Sequence, residues 1–358
     1  MNKDAVNKYK KELKALLLRE IDLNGSYSEW YDDLTDFRNY MIRHYIKFHI
    51  RDALFSPRRT SNQYGDIIDH HSVSYLSPLE FTRIGWDGKR ITPLQQIKKL
   101  SDWIVSGGGR FIYVALPNKG VIYPQLICDD PLLYHHKTSC APQWRKFVNE
   151  VVDSEIEIID IYPVFRNWAD SHSVDECLFS KKHNISGIGA KLVADTITEY
   201  LMKSADDIIR PHLNIEQREL WLSKLSNAGP YEEKCYLNYH RIGKREVAYR
   251  SIDTSDIAIF GDCNLQGYSE IGAGISANLA YNLQYPVHDA GRLLVFDDKR
   301  EVLNKMSLAE LQQLKKKKIV LYLAFASASF TRSSTTCRME LLKRHSLKNF
   351  KWCNFELK

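Results

Sequence analysis

The stretch Ile257-Ala258-Ile259-Phe260-Gly261-Asp262-Cys263-Asn264 decides the fold. A short, uninterrupted apolar run rich in isoleucine reads as a strand buried on both faces, the mark of a parallel sheet. It passes straight into Gly-Asp-Cys, and a helical pattern follows over residues 271–283. In open parallel sheets, ligands gather outside the carboxyl ends of the strands. Cys263 stands just past such an end, where helix N-terminal N–H groups can depress a thiol pKa and hold an oxyanion. Taken alone, the same cysteine also reads as a buried structural thiol in a tight strand–loop.

Working outward, the apolar, β-rich pattern recurs at 111–116, 156–161, 293–296 and 319–325. Helical patterns at 94–106, 141–152 and 189–201 lie between the runs, the first with Pro93 near its opening turn. Strands alternating with helices predict an α/β fold, a three-layer α/β/α sandwich around a mostly parallel sheet. Residues 203–252 interrupt the alternation. They predict an insertion with a helical stretch over 215–225 and a β-hairpin turning at Ile242-Gly243-Lys244, a cap beside the site.

Residues 1–79 predict an α-helical N-terminal extension. Leu13, Leu16, Leu17 and Ile21 recur at helical spacing, an aromatic-rich helical stretch covers 32–54, and 56–75 is polar and turn-rich. Packing on the main domain is its default role. Residues 336–358 read as a C-terminal tail.

Composition sets bounds on function. At 44% hydrophobic, 26% charged and a net charge of +6, the chain is ordinary globular material whose basic residues are dispersed. Nucleic-acid binding is not supported. The densest basic run, 315–318, precedes an apolar strand and reads as a solvated helix end. No leader-like segment and no apolar run near the roughly 20 residues of a membrane span are visible. The seven cysteines are widely spaced without a CxxC pair, which argues against a disulfide framework or a zinc site. The adjacent pairs His70-His71 and His135-His136 lack accompanying carboxylate spacing, so no metal is expected. Together these features predict a cytoplasmic protein without a membrane span.

A second chemical signal is Lys182-His183-Asn184-Ile185-Ser186-Gly187-Ile188-Gly189-Ala190, a histidine in a polar loop that opens a helix. Alone it reads as a surface histidine near a helix start. Joined to Gly-Asp-Cys it resembles the SGNH hydrolase-like family, in which Gly-Asp-Ser follows a strand and a histidine stands shortly before a helix-opening glycine. Here the histidine block precedes the nucleophile block, an order similar to the alginate O-acetyltransferase branch, whose histidine sits in Asp-x-His-Trp. Residues 110–125, RFIYVALPNKGVIYPQ, resemble that branch's strand with Pro-x-Lys and an Ile-Tyr-Pro turn. Residues 319–332, IVLYLAFASASFTR, resemble its late strand with an arginine, and 85–100 its glycine-rich lead-in and first helix. The resemblance spans 80–335 in short blocks.

The chain departs from that pattern at the chemistry. The nucleophile is Cys263 rather than serine, Lys181 stands where the Asp is expected, and Asn184 replaces the tryptophan. A serine needs a base oriented by a carboxylate, whereas a thiol ionises near neutral pH and can work from a Cys–His pair. The two changes are compatible in one active site, and equally in an eroded site that only binds.

The resemblance implies His183 as base and Cys263 as nucleophile, with Asp262 and Asn264 beside them and backbone N–H groups of Cys263 and Asn264 holding the oxyanion. It also implies that Asn118, Lys119 and Tyr123 line the pocket, and that Arg332 binds a carboxylate or phosphate. Asp170, Asp175, Glu176 and Ser180 are candidate orienters of His183, and His288-Asp289 is an alternative source of base or orienter. The expected reaction is acyl transfer, by resemblance acetyl transfer, to a carbohydrate or small-metabolite hydroxyl. No cofactor is expected to be bound. An acyl-CoA or acyl-carrier-protein thioester is the natural cytoplasmic donor. An esterase or thioesterase on the same scaffold, and a non-catalytic glycan- or partner-binding module, are the competing readings.

Overall fold

The apolar runs become the strands of one parallel sheet. A computed structural model describes residues 2–22, 60–61, 67–68, 83–84, 90–91, 93–123, 142–173, 176–180, 184–205, 207–226, 229–261, 267–292 and 308–325. The elements in chain order are α1 (Lys3–Asp22), α2 (Pro93–Val105), β1 (Arg110–Leu116), the short α3 (Lys119–Ile122), α4 (Pro142–Asp153), β2 (Glu157–Asp160), α5 (Tyr162–Ser171) and α6 (Gly187–Ser204). Then come β3 (Glu216–Ser226), β4 (Gly229–Ile242), β5 (Arg245–Ala248), β6 (Ile257–Gly261), α7 (Ile275–Leu283), β7 (His288–Arg292), α8 (Leu308–Lys315) and β8 (Ile319–Phe325). Two small antiparallel pairs join Thr60–Ser61 to Ile67–Ile68 and Arg83–Ile84 to Arg90–Ile91.

The central sheet runs β7-β6-β8-β1-β2, with every neighbouring pair parallel. Counted from β6 and continued cyclically through the chain, this is the order 2-1-3-4-5 of a doubly wound sheet. Its direction of winding reverses between β6 and β8, so the crevice for a ligand lies outside their carboxyl ends. The cyclic shift also explains why the histidine block precedes the cysteine block.

Burial explains the apolar runs. Every residue of β1 and of β6 is buried, because helices cover both faces of the sheet. One helix group joins α2, α4 and α8; another joins α5, α6 and α7; α1 touches α4, α6 and β2. Leu13 and Leu17 of α1 enter the same core as the sheet. Full burial of such a side chain contributes about 1.5–3 kcal/mol.

At the amino edge, Arg110 of β1 reaches across to Glu157 of β2, donating from Nε at 2.8 Å. The same guanidinium donates to the Ser204 carbonyl of α6 at 3.1 Å, and Tyr200 donates to Glu157 at 2.6 Å. This satisfied buried cluster fixes the register of two strands and one helix.

The structure corrects one expectation. Residues 215–225 are not helical: β3 pairs antiparallel with β4 from Glu216↔Tyr239 to Ser226↔Gly229, and β5 adds a third strand. The glutamates, glutamine and leucines favour a helix intrinsically, but cross-strand packing overrides propensity. The turn does fall at Gly243, with φ +61. His288–Arg292, just before the strand expected at 293–296, forms the edge strand β7, paired with Ala258 and Ile259 of β6. Residues 293–296, the helical stretch over 32–54 and the tail at 336–358 lie outside the described residues. Among the described residues, no helix is long and apolar enough to cross a membrane.

Candidate active site

The site is built at the carboxyl edge of the sheet. After β1 the chain turns through Pro117 and Asn118 into α3, burying Asn118, Lys119 and Tyr123. Lys119 is 3% exposed, and its Nζ donates to the Ser180 carbonyl at 2.9 Å. The Tyr123 hydroxyl accepts from the Leu178 N–H at 3.3 Å, and its ring meets Phe179 edge-on. Lys119 and Tyr123 therefore hold the loop that follows α5, and none of the three is among the residues lining the cavity described next.

That loop is a small hairpin. The Ser180 N–H donates to the Asn184 carbonyl at 2.8 Å, Phe179 bridges Ile185, and the Ser186 N–H donates to the Leu178 carbonyl at 2.9 Å. Residues 181–183 connect its arms and lie outside the described residues. Ser186 then caps α6, its side chain accepting from the Gly189 N–H at 3.1 Å. Gly189 is required by proximity: a Cβ there would meet the Leu178 carbonyl at 2.3 Å.

The facing wall follows β6. Gly261 ends the strand, 262–266 lie outside the described residues, and the chain resumes at Gly267 and Tyr268. Between the two walls is a cavity of about 730 Å³. Ser180 and Asn184 border it on one side, Gly267 and Tyr268 on another, and Lys224 and Tyr231 from the β3–β4 hairpin on a third. Among the described residues, the buried Asn184 Oδ1 meets no hydrogen-bond partner. A buried acceptor of this kind costs about 1–3 kcal/mol until a donor reaches it.

The expected site residues divide accordingly. His183, Asp175, Asp262, Cys263, Asn264 and Arg332 lie outside the described residues, but the residues flanking His183 and those following Cys263 border one cavity. Ser180 is at that border. Asp170 is exposed on α5 and paired with Arg166 at 2.5 Å, while Glu176 is exposed and accepts the Trp168 indole N–H through its carbonyl. His288 and Asp289 lie within β7. Asp289 accepts from Ser276 at 3.1 Å and from the Gly291 N–H at 3.0 Å, and burial raises its pKa above the usual aspartate value.

Sequence reasoning read residues 203–252 as an insertion or a cap beside the site, but missed Glu233. Glu233 of β4 is 8% exposed and sits behind the cavity wall. It pairs with Lys224 at 3.1 Å, accepts from the Gly187 N–H at 3.1 Å, and accepts from the Tyr268 hydroxyl. The alternation of Tyr231, Glu233 and Cys235 along one strand face was a period-2 signal, hidden once β3 had been read as helix. Cys235 lies next to it, fully buried; burial first, and then the Glu233 carboxylate, push its thiol up to about 11.

No family model matches the sequence, and no curated protein matches it either. Solved structures do match in shape. The O-acetyltransferase domain of Pseudomonas putida AlgJ shares 8% identity at a TM-score of 0.52, covering 78% of this chain and 95% of that one. Pseudomonas aeruginosa AlgX shares 12% identity over 78% of this chain and 71% of that one, at a TM-score of 0.45. Bacillus cereus PatB1, solved with a sulfonyl adduct, shares 12% identity over 67% and 89%, at 0.42. The likeness to AlgJ lies in the fold alone, an α/β fold around a mostly parallel sheet.

Proposed function

We propose that the chain is an acyltransferase that carries an acetyl group on Cys263 and passes it to a hydroxyl of a carbohydrate or small metabolite. The observation that supports this reading is the shared cavity, bordered by the residues around His183 and by those just after Cys263. The sheet adds support, since its winding reverses beside β6 and so aims the cavity at the Cys263 end.

In this reading His183 takes the Cys263 proton, and the thiolate attacks the donor's carbonyl. Backbone N–H groups of Cys263 and Asn264 hold the oxyanion. The tetrahedral intermediate expels the donor's thiol or alcohol, which receives the proton from His183, leaving a thioester on Cys263. An acceptor hydroxyl then gives its proton to His183 and attacks the thioester, releasing the acetyl ester and restoring the thiol. A thiolate needs less help than an alkoxide, which accommodates Lys181 in place of an orienting aspartate. Asn184 Oδ1 offers an acceptor to an incoming hydroxyl. An acyl-CoA or acyl-carrier thioester suits as donor.

Acetyl transfer from acetyl-CoA and from an activated acetyl ester is followed with and without sugar acceptors. The expected result is acceptor-dependent ester product, abolished in Cys263→Ala and in His183→Ala. Cys263→Ser is also expected to fail, because the histidine lacks the carboxylate a serine requires. Full transfer by Cys263→Ala would overturn the reading.

A further inference from the structure

The β3–β4 hairpin holds the two loops of the site together through one buried carboxylate. Glu233 Oε1 accepts the Gly187 N–H at 3.1 Å, at the first turn of α6 just beyond the His183 loop. The same oxygen accepts the hydroxyl of Tyr268, two residues past the chain's return from the Cys263 loop. Lys224 completes the group: it pairs with Glu233 at 3.1 Å, donates to the Tyr268 oxygen, and stands 3.9 Å above the centre of the Tyr268 ring.

Three independent features mark this as a device under constraint. Tyr268 has φ +65, a left-handed backbone that is strained for a non-glycine residue and persists only where surroundings impose it. Gly187 lies directly against β4: a Cβ there would meet Cys235 Cβ at 2.3 Å and the Lys234 carbonyl at 2.5 Å. Farther along β4, Asn238 donates its backbone N–H and its side-chain amide to the Gly272 carbonyl at 2.9 and 3.0 Å, and the same amide donates to Asn278 Oδ1 at 3.3 Å. The hairpin is thus stitched along the segment that leads from the Cys263 loop into α7. A carboxylate at a helix start is also favoured by the helix dipole.

We infer that Glu233 is a positioning residue, a clasp that sets the spacing across the cavity of the start of α6 at Gly187 and the turn at Tyr268, the segments that follow His183 and Cys263 in sequence. The catalytic meaning of that spacing rests on the function proposed above; the clasp itself does not. Misplacement of reacting groups by about 1 Å costs on the order of 100-fold in rate, so a clasp of this kind governs kcat more than KM.

The test compares Glu233→Ala, Glu233→Gln and Tyr268→Phe with the wild-type chain. Hydrogen exchange is read over 178–189 and 261–269, together with the rate of Cys263 alkylation against pH. In Glu233→Ala both segments exchange faster, acetyl transfer falls about 10–100-fold in kcat with KM little changed, and the alkylation midpoint moves toward the ordinary thiol value of about 8.5. Glu233→Gln, whose amide oxygen still accepts from Gly187 and Tyr268, retains most of the wild-type behaviour. Tyr268→Phe removes only one hydroxyl and loosens 261–269 without unfolding, which serves if the alanine variant does not fold. Unchanged exchange in both segments, or Glu233→Gln as defective as Glu233→Ala, would overturn the clasp. An unreactive wild-type Cys263 with the exchange effects intact would instead sink the proposed function and leave the clasp standing.

Discussion

The Lys119 ammonium donates to the carbonyl of Ser180 at 2.9 Å, joining the turn after β1 to the arm of the hairpin that carries residues 181–183. A buried lysine used this way fixes a backbone rather than a substrate. Lys119→Met keeps the bulk and removes the donor. A hydrogen bond from a charged group contributes about 1.5–3 kcal/mol, so a loss of that order is expected in denaturant unfolding, with reduced acetyl transfer. Unaltered stability and activity would show that the loop is held otherwise.

Arg110 and Glu157 have side chains 8% and 11% exposed and share partners on α6. Removing one member leaves a buried charge uncompensated. Glu157→Ala is expected to cost about 3–5 kcal/mol, while replacing both with apolar residues recovers much of the loss. Urea titration of the two variants distinguishes this from an ion pair that contributes little.

Asp289 gives a pH signature. Burial raises its pKa, so its contribution to stability is complete below the unfolded aspartate value of about 3.9 and is lost as pH rises through the folded value. Asp289→Asn, whose amide oxygen can still accept from the Gly291 N–H while its NH2 group donates to the Ser276 hydroxyl, should therefore stabilise the protein at neutral pH, with the gain shrinking as pH falls toward 4. Thermal midpoints measured across that range check the sign; a gain that grows on acidification would contradict it.

The parallel sheet was legible because strands buried on both faces must be apolar throughout, as 257–260 and 111–116 are. The helix was legible from residue 189, but its start at Gly187 was not, since glycine there answers a contact with β4 that no local pattern reveals. The three-stranded sheet was half legible. The β4–β5 turn carries a glycine at positive φ, but β3 is composed of good helix formers and becomes a strand only by pairing with β4. Glu233 was invisible for the same reason: its partners Gly187, Lys224 and Tyr268 come from three distant segments, and only the folded chain brings them together. At the site itself, Cys263 and His183 were singled out by residue type and lie outside the described residues, whereas the cavity wall contributed by β3 and β4 was not legible.

The most direct test of the central claim is trapping of the acyl group. The protein is mixed with an activated acetyl ester, quenched in acid, and examined by intact mass and peptide mapping. Cys235 is an internal control, because its buried thiol, pushed up to about 11, stays protonated near neutral pH. The account predicts one acetyl group, on Cys263, that disappears when acceptor is added and never forms in Cys263→Ala. Acetylation spread over other residues, or none on Cys263 while transfer proceeds, would contradict it.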